Sequence, residues 1–224
     1  MGTTLADHAY QAIKQGILRG EFAEGAFLSE ADVTKRHSIG RTPFREACNR
    51  LHNEQLLEVL PRRGYFIPEM SFRVARDLLE TRLILEGAAA ELAAVRAEPV
   101  QVDELERLAH CARELARRNE PNVGELIENN IAFHLLLAAM SQNRQIEGLV
   151  RGLLERSTRL FYLAFRWTSE EARDVEGVFM KVVEAVRRHD GRAAREGVVE
   201  DITRGQLNIL GRELWAGRVN DASG

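Results

Sequence analysis

The chain has 224 residues, which corresponds to one or two domains of typical size. Its composition, 45% hydrophobic and 29% charged with two cysteines, excludes collagen-like, disulfide-stapled and wholly disordered chains. No run approaches the roughly 20 apolar residues of a membrane helix, and the first residues lack the features of a signal peptide. We therefore expect a cytoplasmic protein without membrane contact.

The charge is distributed unevenly along the chain. The net charge of −3 argues against a protein that coats nucleic acid by bulk attraction. Residues 35–63, however, hold seven basic and three acidic side chains, a local excess of +4. A short basic segment of this kind is the footprint expected for contact with a phosphate backbone.

The first seventy residues predict three helices followed by a β-hairpin. Gly20 can end the first helix, Ser29 can cap the second, and Pro43 fits the first turn of the third. A Pro-Arg-Arg-Gly turn then separates two short apolar segments, as in a hairpin. The predicted elements are helices over about 5–17, 30–36 and 41–53 and strands over 56–60 and 65–67. This order predicts a winged helix-turn-helix in residues 1–70.

Residues 71–224 predict an all-α helical bundle, so that the whole fold is mainly α. No proline occurs in the last 103 residues, and apolar residues recur at helical spacing. The stripes that predict six helices are Leu78–Val95, Leu105–Leu115, Leu126–Met140, Leu149–Leu163, Val175–Val186 and Ala193–Leu214. Both Val95 and Leu149 are therefore expected to face the core.

The start of the third helix carries the most specific signal. Arg41 and Arg45 can present guanidinium groups to guanine edges in the major groove, and Thr42 can contact a phosphate or a thymine methyl group. The further candidates for phosphate or minor-groove contact are Lys35, Arg36, Arg50, Arg62, Arg63 and Gly64. These arginines could instead merely solvate a small domain. The coincidence of helix, hairpin and charge favours double-stranded DNA.

The same residues resemble the winged-helix domain of the GntR family of bacterial transcription regulators. The resemblance covers about residues 5–68, and Gly40 stands where the family usually has Ser. The motifs that carry it are Leu28-Ser29-Glu30, Arg41-Thr42-Pro43-Phe44-Arg45-Glu46-Ala47, Arg50-Leu51 and Pro61-Arg62-Arg63-Gly64-Tyr65.

The rest of the chain resembles the ligand-binding (FCD) domain of the FadR subfamily. Its marks are the segment 79–90, Phe133-His134 and Ser141-Gln142-Asn143. The resemblance implies a homodimer on a palindromic operator. It also implies that a small metabolite, commonly a carboxylate, enters residues 71–224 and changes the affinity for DNA.

The resemblance also implies positions for a divalent metal such as Zn or Ni. Carried over residue by residue, the ligands are Asn130, His134 and Asp201, and the remaining slot falls on Phe179. A phenyl ring cannot ligate a metal, and a mixed oxygen and nitrogen set is weaker than three imidazoles. A pocket that works without a metal is therefore favoured over a metal site.

A pocket for a carboxylate effector can be built from side chains on the helices of residues 71–224, because arginine suits bidentate carboxylate binding. The candidate effector residues are Arg82, Asn130, His134, Asn143, Arg159, Tyr162 and Asp201. Two simpler interpretations stay open. The arginines could lie along the surface, and Glu80, Arg82 and Glu86 could form ion pairs within one helix.

An enzyme is the competing class of function. The chain contains no GxGxxG, no P-loop and no HExxH motif. We therefore expect a ligand-responsive transcription regulator and no catalytic residues. The alternatives are a metal-dependent enzyme and a helical ligand-binding protein that does not bind DNA.

Overall fold

The computed structural model describes residues 4–118, 122–165 and 175–205, without the side chains of 163–165 and 175. The chain divides into two compact units, Met1–Ser71 and Phe72–Gly224. The part of the predicted last helix beyond residue 205 lies outside the described residues.

The first unit contains the three predicted helices. They are α1 (Leu5–Leu18), α2 (Glu30–His37) and α3 (Arg41–Asn53). Thr4 caps α1 in a capping box with Asp7, and the Ser29 hydroxyl accepts the amide of Asp32 at 3.2 Å. The backbone of Ser38, with φ of 53°, ends α2 in the left-handed conformation. These short-range signals explain why each helix begins or ends where the sequence predicts.

A small antiparallel sheet completes this unit, with strands β1 (Phe27–Leu28), β2 (Glu58–Leu60) and β3 (Gly64–Phe66) in the order β1-β3-β2. Tyr65 of β3 faces Leu28 on one side and Val59 on the other. The hairpin is confirmed, but β1 was not predicted, because two residues cannot display an alternating pattern. Leu56 and Leu57, expected to begin a strand, are core residues before β2.

The second unit is helical throughout its described residues. Its helices are α4 (Phe72–Arg96), α5 (Pro99–Ala116), α6 (Val123–Met140), α7 (Arg144–Phe165), α8 (Val175–Arg187) and α9 (191–205). The predicted all-α bundle is confirmed. Helix α6 packs against α4, α5 and α7 and carries buried side chains on most of its sides, so it forms the centre of the unit.

Two glycines allow close packing of α9. A Cβ atom on Gly197 would lie only 2.8 Å from Cγ2 of Val182 on α8. A Cβ atom on Gly87 of α4 would lie 3.4 Å from Cγ of Arg195. Helix α9 is therefore held tightly against both neighbours.

The prediction that Val95 and Leu149 face the core is wrong. Val95 is 66% exposed and Leu149 is 58% exposed. The buried side of α7 is centred on Val150, Leu154 and Phe161, so Leu149 lies beyond its edge. A helical period fixes the spacing of a stripe but leaves its centre uncertain by about one position.

Candidate nucleic-acid interface and effector site

The N-terminal half of α3 exposes the arginines that the sequence singles out. The side chains of Arg41 and Arg45 are 87% and 68% exposed, and Thr42 between them is exposed. Phe44, Ala47 and Leu51 anchor the opposite side of the helix in the core. A guanidinium group on such a rigid, exposed helix start can reach base edges.

Arg50 makes contacts within the unit itself. Its Nη1 donates to Asp7 Oδ1 at 2.7 Å, and its guanidinium carbon lies 3.9 Å from the centre of the Tyr10 ring. The hydrogen bonds from Thr4 and Arg50 lower the pKa of the Asp7 carboxyl to about 2. Arg50 thus ties α3 to α1, and its predicted phosphate contact stays a prediction.

The other basic candidates lie on α2 and on the wing, defined as residues 58–66. Lys35 and Arg36 are exposed on α2, and Arg36 lies over the ring of Phe22 at 5.8 Å. At the wing tip, Arg62 adopts φ of 63° and Gly64 φ of 103°. Glycine adopts the second of these conformations without steric cost. Nothing lies within 4 Å of a Cβ built on Gly64, so the tip is open.

The last wing candidate, Arg63, lies over the ring of Phe27 at 4.9 Å. The side chain is exposed next to Gly64. The aromatic ring of β1 therefore supports a cation at the wing tip.

The second unit contains a buried ion cluster of Arg82, Glu86, His134 and Asp201, contributed by α4, α6 and α9. Arg82 Nε donates to Glu86 Oε1 at 2.6 Å. His134 Nδ1 lies 2.7 Å from Glu86 Oε2, an ion-pair contact outside hydrogen-bond geometry. On the other side of the ring, His134 Nε2 lies 3.1 Å from Asp201 Oδ2. One imidazole therefore sits between two carboxylates.

The cluster shifts the pKa values of its members. Burial raises the pKa of Glu86, but the charges of Arg82 and His134 outweigh burial and lower it to about 2. Burial lowers the pKa of His134, and the Glu86 charge together with the Asp201 hydrogen bond raises it to about 9. The raised pKa of His134 therefore favours its imidazolium form beside Glu86 at neutral pH.

The remaining effector candidates are spread over α6 and α7. Asn130 is half-buried one turn before His134. Arg159 is buried on α7, and Tyr162 packs against the core beside it. Asn143 caps α7, because its Oδ1 accepts the amides of Gln145 and Ile146. That oxygen is engaged at a helix end, so a role for Asn143 in effector binding stays a prediction.

Phe179 fills the slot where the resemblance implies a third metal ligand. It is fully buried and stacks on Phe133 with ring centres 3.8 Å apart and planes at 5°. The centres of the Phe179 and His134 rings are 6.0 Å apart, and the ring planes meet at 83°. Within the described residues, no group of three or more His, Cys, Asp or Glu side chains is placed to hold a metal ion. These residues do not fit the metal that the family resemblance implies.

Sequence reasoning missed the central role of Glu86. The possible ion pair within one helix is confirmed for Arg82 and Glu86, but its burial was not predicted, since both side chains are at most 4% exposed. A glycine and three alanines directly follow the pair at residues 87–90, and small apolar neighbours of this kind signal close helix packing. That signal could have indicated a buried pair.

The two units together define a class of protein. A winged helix-turn-helix with exposed arginines precedes a helical bundle with a buried polar cluster, which is the organisation of a DNA-binding transcription regulator with an effector-binding domain. Residues 5–67 match the family described as bacterial regulatory proteins, gntR family, and residues 77–204 match the FCD domain. The chain belongs to the GntR family and carries an FCD effector-binding domain.

Known proteins resemble the chain over most of its length. The Nta operon transcriptional regulator of Aminobacter aminovorans is 30% identical over 173 residues, covering 77% of this chain and 80% of that protein. The repressor RspR of Escherichia coli K12 is 24% identical over 193 residues, covering 86% and 83%. The structure of E. coli McbR/YncC has the same fold, with a TM-score of 0.79 at 20% identity over 94% of this chain and 99% of that one.

Among the described residues, no helix combines the length and the apolar character needed to cross a membrane.

The buried ion cluster predicts how stability depends on pH. The pKa of His134 is raised from 6.5 to about 9, so its contribution is complete below pH 6.5 and is lost as the pH rises through about 9. The pKa of Glu86 is lowered from 4.5 to about 2, so its contribution is complete above pH 4.5 and is lost as the pH falls through about 2. The unfolding temperature, measured from pH 2 to 10, should fall both at the alkaline end and at the acidic end.

The variant His134→Gln should lack the loss of stability between pH 6.5 and 9. His8→Gln, at an exposed position on α1, is the matched control and should keep it. An alkaline fall in unfolding temperature that persists in His134→Gln would show that His134 is not its origin.

Proposed function

We propose that the chain is a one-component regulator of the cytoplasm, in which residues 1–70 bind a palindromic operator as part of a homodimer. Residues 71–224 bind a small anionic effector, and the chain catalyses no reaction. The exposed arginines at the start of α3 carry the proposal, because they stand on the helix that a winged domain inserts into the major groove. Its relatives are transcription regulators, which favours regulation over an enzyme.

The proposed contacts divide into two kinds. Arg41 and Arg45 read guanine edges, and Thr42 contacts a phosphate or a thymine methyl group. The side chains proposed to hold phosphates or the minor groove are Lys35, Arg36, Arg50, Arg62 and Arg63, with Gly64 allowing close approach of the wing. The second kind positions the domain without reading sequence.

The effector site is proposed at the buried ion cluster and the adjoining face of α7. Arg82 and Arg159 supply buried guanidinium groups suited to a carboxylate, and Asn130 and Tyr162 border them. Phe179 and Phe133 provide an apolar wall beside His134. An anion would be recognised there by direct contacts, without Zn or Ni.

A homodimer surface is proposed on α4 and α7, two helices that pack against each other. Ile84 on α4 is 65% exposed and Leu149 on α7 is 58% exposed. A Cβ atom on Gly148 or Gly152 would meet nothing within 4 Å, so the face of α7 at these two positions is open. Large apolar side chains beside an open helix face are typical of an interface between protein chains.

In the proposed regulator, the affinity for the operator is coupled to the affinity for the effector. A dimer places two recognition helices one helical turn of DNA apart. If the effector changes operator affinity, the operator must change effector affinity by the same factor. Equal coupling in both directions is therefore a property that the proposed function requires.

Arg45→Ala should lower operator affinity by about 1–3 kcal/mol and relax preference at one base position, because a bidentate contact to guanine is lost. Arg63→Ala should weaken binding to all sequences and reduce the salt dependence. Both are measured by selection from a randomised duplex library followed by titration at several salt concentrations. Equal loss for all sequences in Arg45→Ala would make Arg45 a phosphate contact.

A carboxylate effector should stabilise the protein equally with EDTA and with added Zn²⁺ or Ni²⁺. At 100 times the dissociation constant the gain is about 3 kcal/mol, several degrees in Tm for a chain of this size. A thermal-shift screen of small dicarboxylates and sugar acids measures it. Arg159→Met should abolish the shift, and Arg151→Met, on the exposed side of α7, should keep it.

The variant Phe179→His tests whether residue 179 prevents metal binding. Phe179→His adds a second imidazole beside His134 and Asp201, so that variant should gain a Zn²⁺- or Ni²⁺-dependent shift that the wild-type protein lacks. A stoichiometric metal in the wild-type protein, or a ligand shift that EDTA removes, would contradict metal-free recognition.

Replacing Ile84 or Leu149 by Glu should convert a dimer to a monomer at micromolar concentration, because a buried, unpaired carboxylate opposes association. Light scattering after size-exclusion chromatography gives the mass directly. Val100→Glu is the control, since Val100 is 77% exposed on α5, outside the proposed surface. Unchanged mass in both test variants would place the interface elsewhere.

A further inference from the structure

One carboxylate stands among the arginines proposed to read DNA. Glu30 is the first residue of α2, directly after the cap residue Ser29. Its Oε1 lies 3.3 Å from Nε of Arg41, and its Oε2 lies 4.0 Å from Nε of Arg45. Each oxygen of a single carboxylate thus pairs with a different arginine, one turn apart on α3.

The Glu30 charge also acts on the elements beneath those arginines. Burial raises the pKa of the Cys48 thiol to about 12, and the Glu30 charge adds to that rise. Burial likewise raises the pKa of Tyr65 on β3, with a further contribution from Glu30. The direct contacts of the carboxylate are with α3, through Arg41 and Arg45.

The carboxylate contributes only modestly to stability, through its place in the first turn of α2. The arginine side chains are 87% and 68% exposed, and Glu30 is 33% exposed. Exposed ion pairs contribute little to folding, because water screens them and long side chains lose freedom. A negative charge here also opposes phosphate binding within the most basic segment of the chain.

The geometry of the contacts suggests what the carboxylate does. Both ion pairs involve the Nε edge of an arginine. The two terminal nitrogens of a guanidinium form the edge that can grip O6 and N7 of guanine. A carboxylate beside the Nε edge favours conformations in which the terminal nitrogens point away from it. Less binding free energy is then lost in ordering the arginine on DNA.

We propose that Glu30 is a positioning residue for operator recognition, which orients Arg41 and Arg45 and disfavours phosphate contacts with non-operator DNA. The proposal rests on the proposed role of these arginines in DNA binding. Such a carboxylate weakens binding to non-operator DNA more than it weakens binding to the operator. The ratio of operator affinity to non-specific affinity therefore rises, because discrimination against the wrong partner is part of specificity.

The variant Glu30→Gln tests the proposal. Its probes are the duplex that the wild-type protein enriches from a random library and a scrambled duplex of equal length, titrated by fluorescence anisotropy at several KCl concentrations. We expect tighter binding to the scrambled duplex and a ratio of affinities that falls about 2- to 10-fold. Thermal unfolding should be nearly unchanged.

Glu46→Gln is the matched control, because Glu46 is exposed on α3 next to Arg45 and its loss changes the charge equally. It should strengthen binding to both duplexes alike and leave the ratio unchanged. Equal ratios in Glu30→Gln and Glu46→Gln would overturn the proposal, since charge alone would then explain Glu30.

A double-mutant cycle separates positioning from direct contact. Without both arginines, in Arg41→Ala/Arg45→Ala, adding Glu30→Gln should no longer change the ratio. A change that persists there would mean that Glu30 contacts a base itself, such as the amino group of cytosine, and would overturn the positioning role. Failure of the wild-type protein to enrich any duplex would overturn the DNA-binding role of the arginines as well.

Discussion

Charged side chains inside a bundle of apolar helices are stable only as a set whose charges compensate one another. Arg82, Glu86, His134 and Asp201 form such a set, in which the guanidinium and the imidazole share Glu86. Removing one partner of a buried pair costs roughly 3–5 kcal/mol, because the other charge remains without compensation. The cluster therefore constrains the relative positions of α4, α6 and α9 in addition to apolar packing.

The two units use arginine in opposite environments. In the first unit, Arg41 and Arg45 are exposed, and Glu30 lies beside both. In the second unit, Arg82 is buried, pairs with Glu86 and lies over the ring of Phe161 at 4.6 Å. An exposed guanidinium is available to a large polyanion, whereas the buried guanidinium of Arg82 is already compensated by the Glu86 carboxylate.

Much of the fold could be predicted because it depends on local chemistry. Ser29 caps α2 where the sequence indicates, since a capping hydroxyl acts over three residues. Strand β1 could not be predicted, because a partner 37 positions away defines it, with Leu28 opposite Tyr65. The same limit applies to the site. His134 and Asp201 were identified through resemblance, but only packing of distant helices shows that Glu86 lies between Arg82 and His134.

The tight fit at Gly197 has a mechanical consequence. Val182 on α8 leaves no room for even a methyl group at Gly197, so α8 and α9 pack in close contact there. Sliding one helix along the other would bring the Val182 side chain against the backbone of α9. Phe179 on α8 and Asp201 on α9 flank the same imidazole from these two helices. The position of α8 relative to α9 is therefore fixed close to the imidazole, and Phe179 and Asp201 cannot shift apart there without disturbing the contact at Gly197.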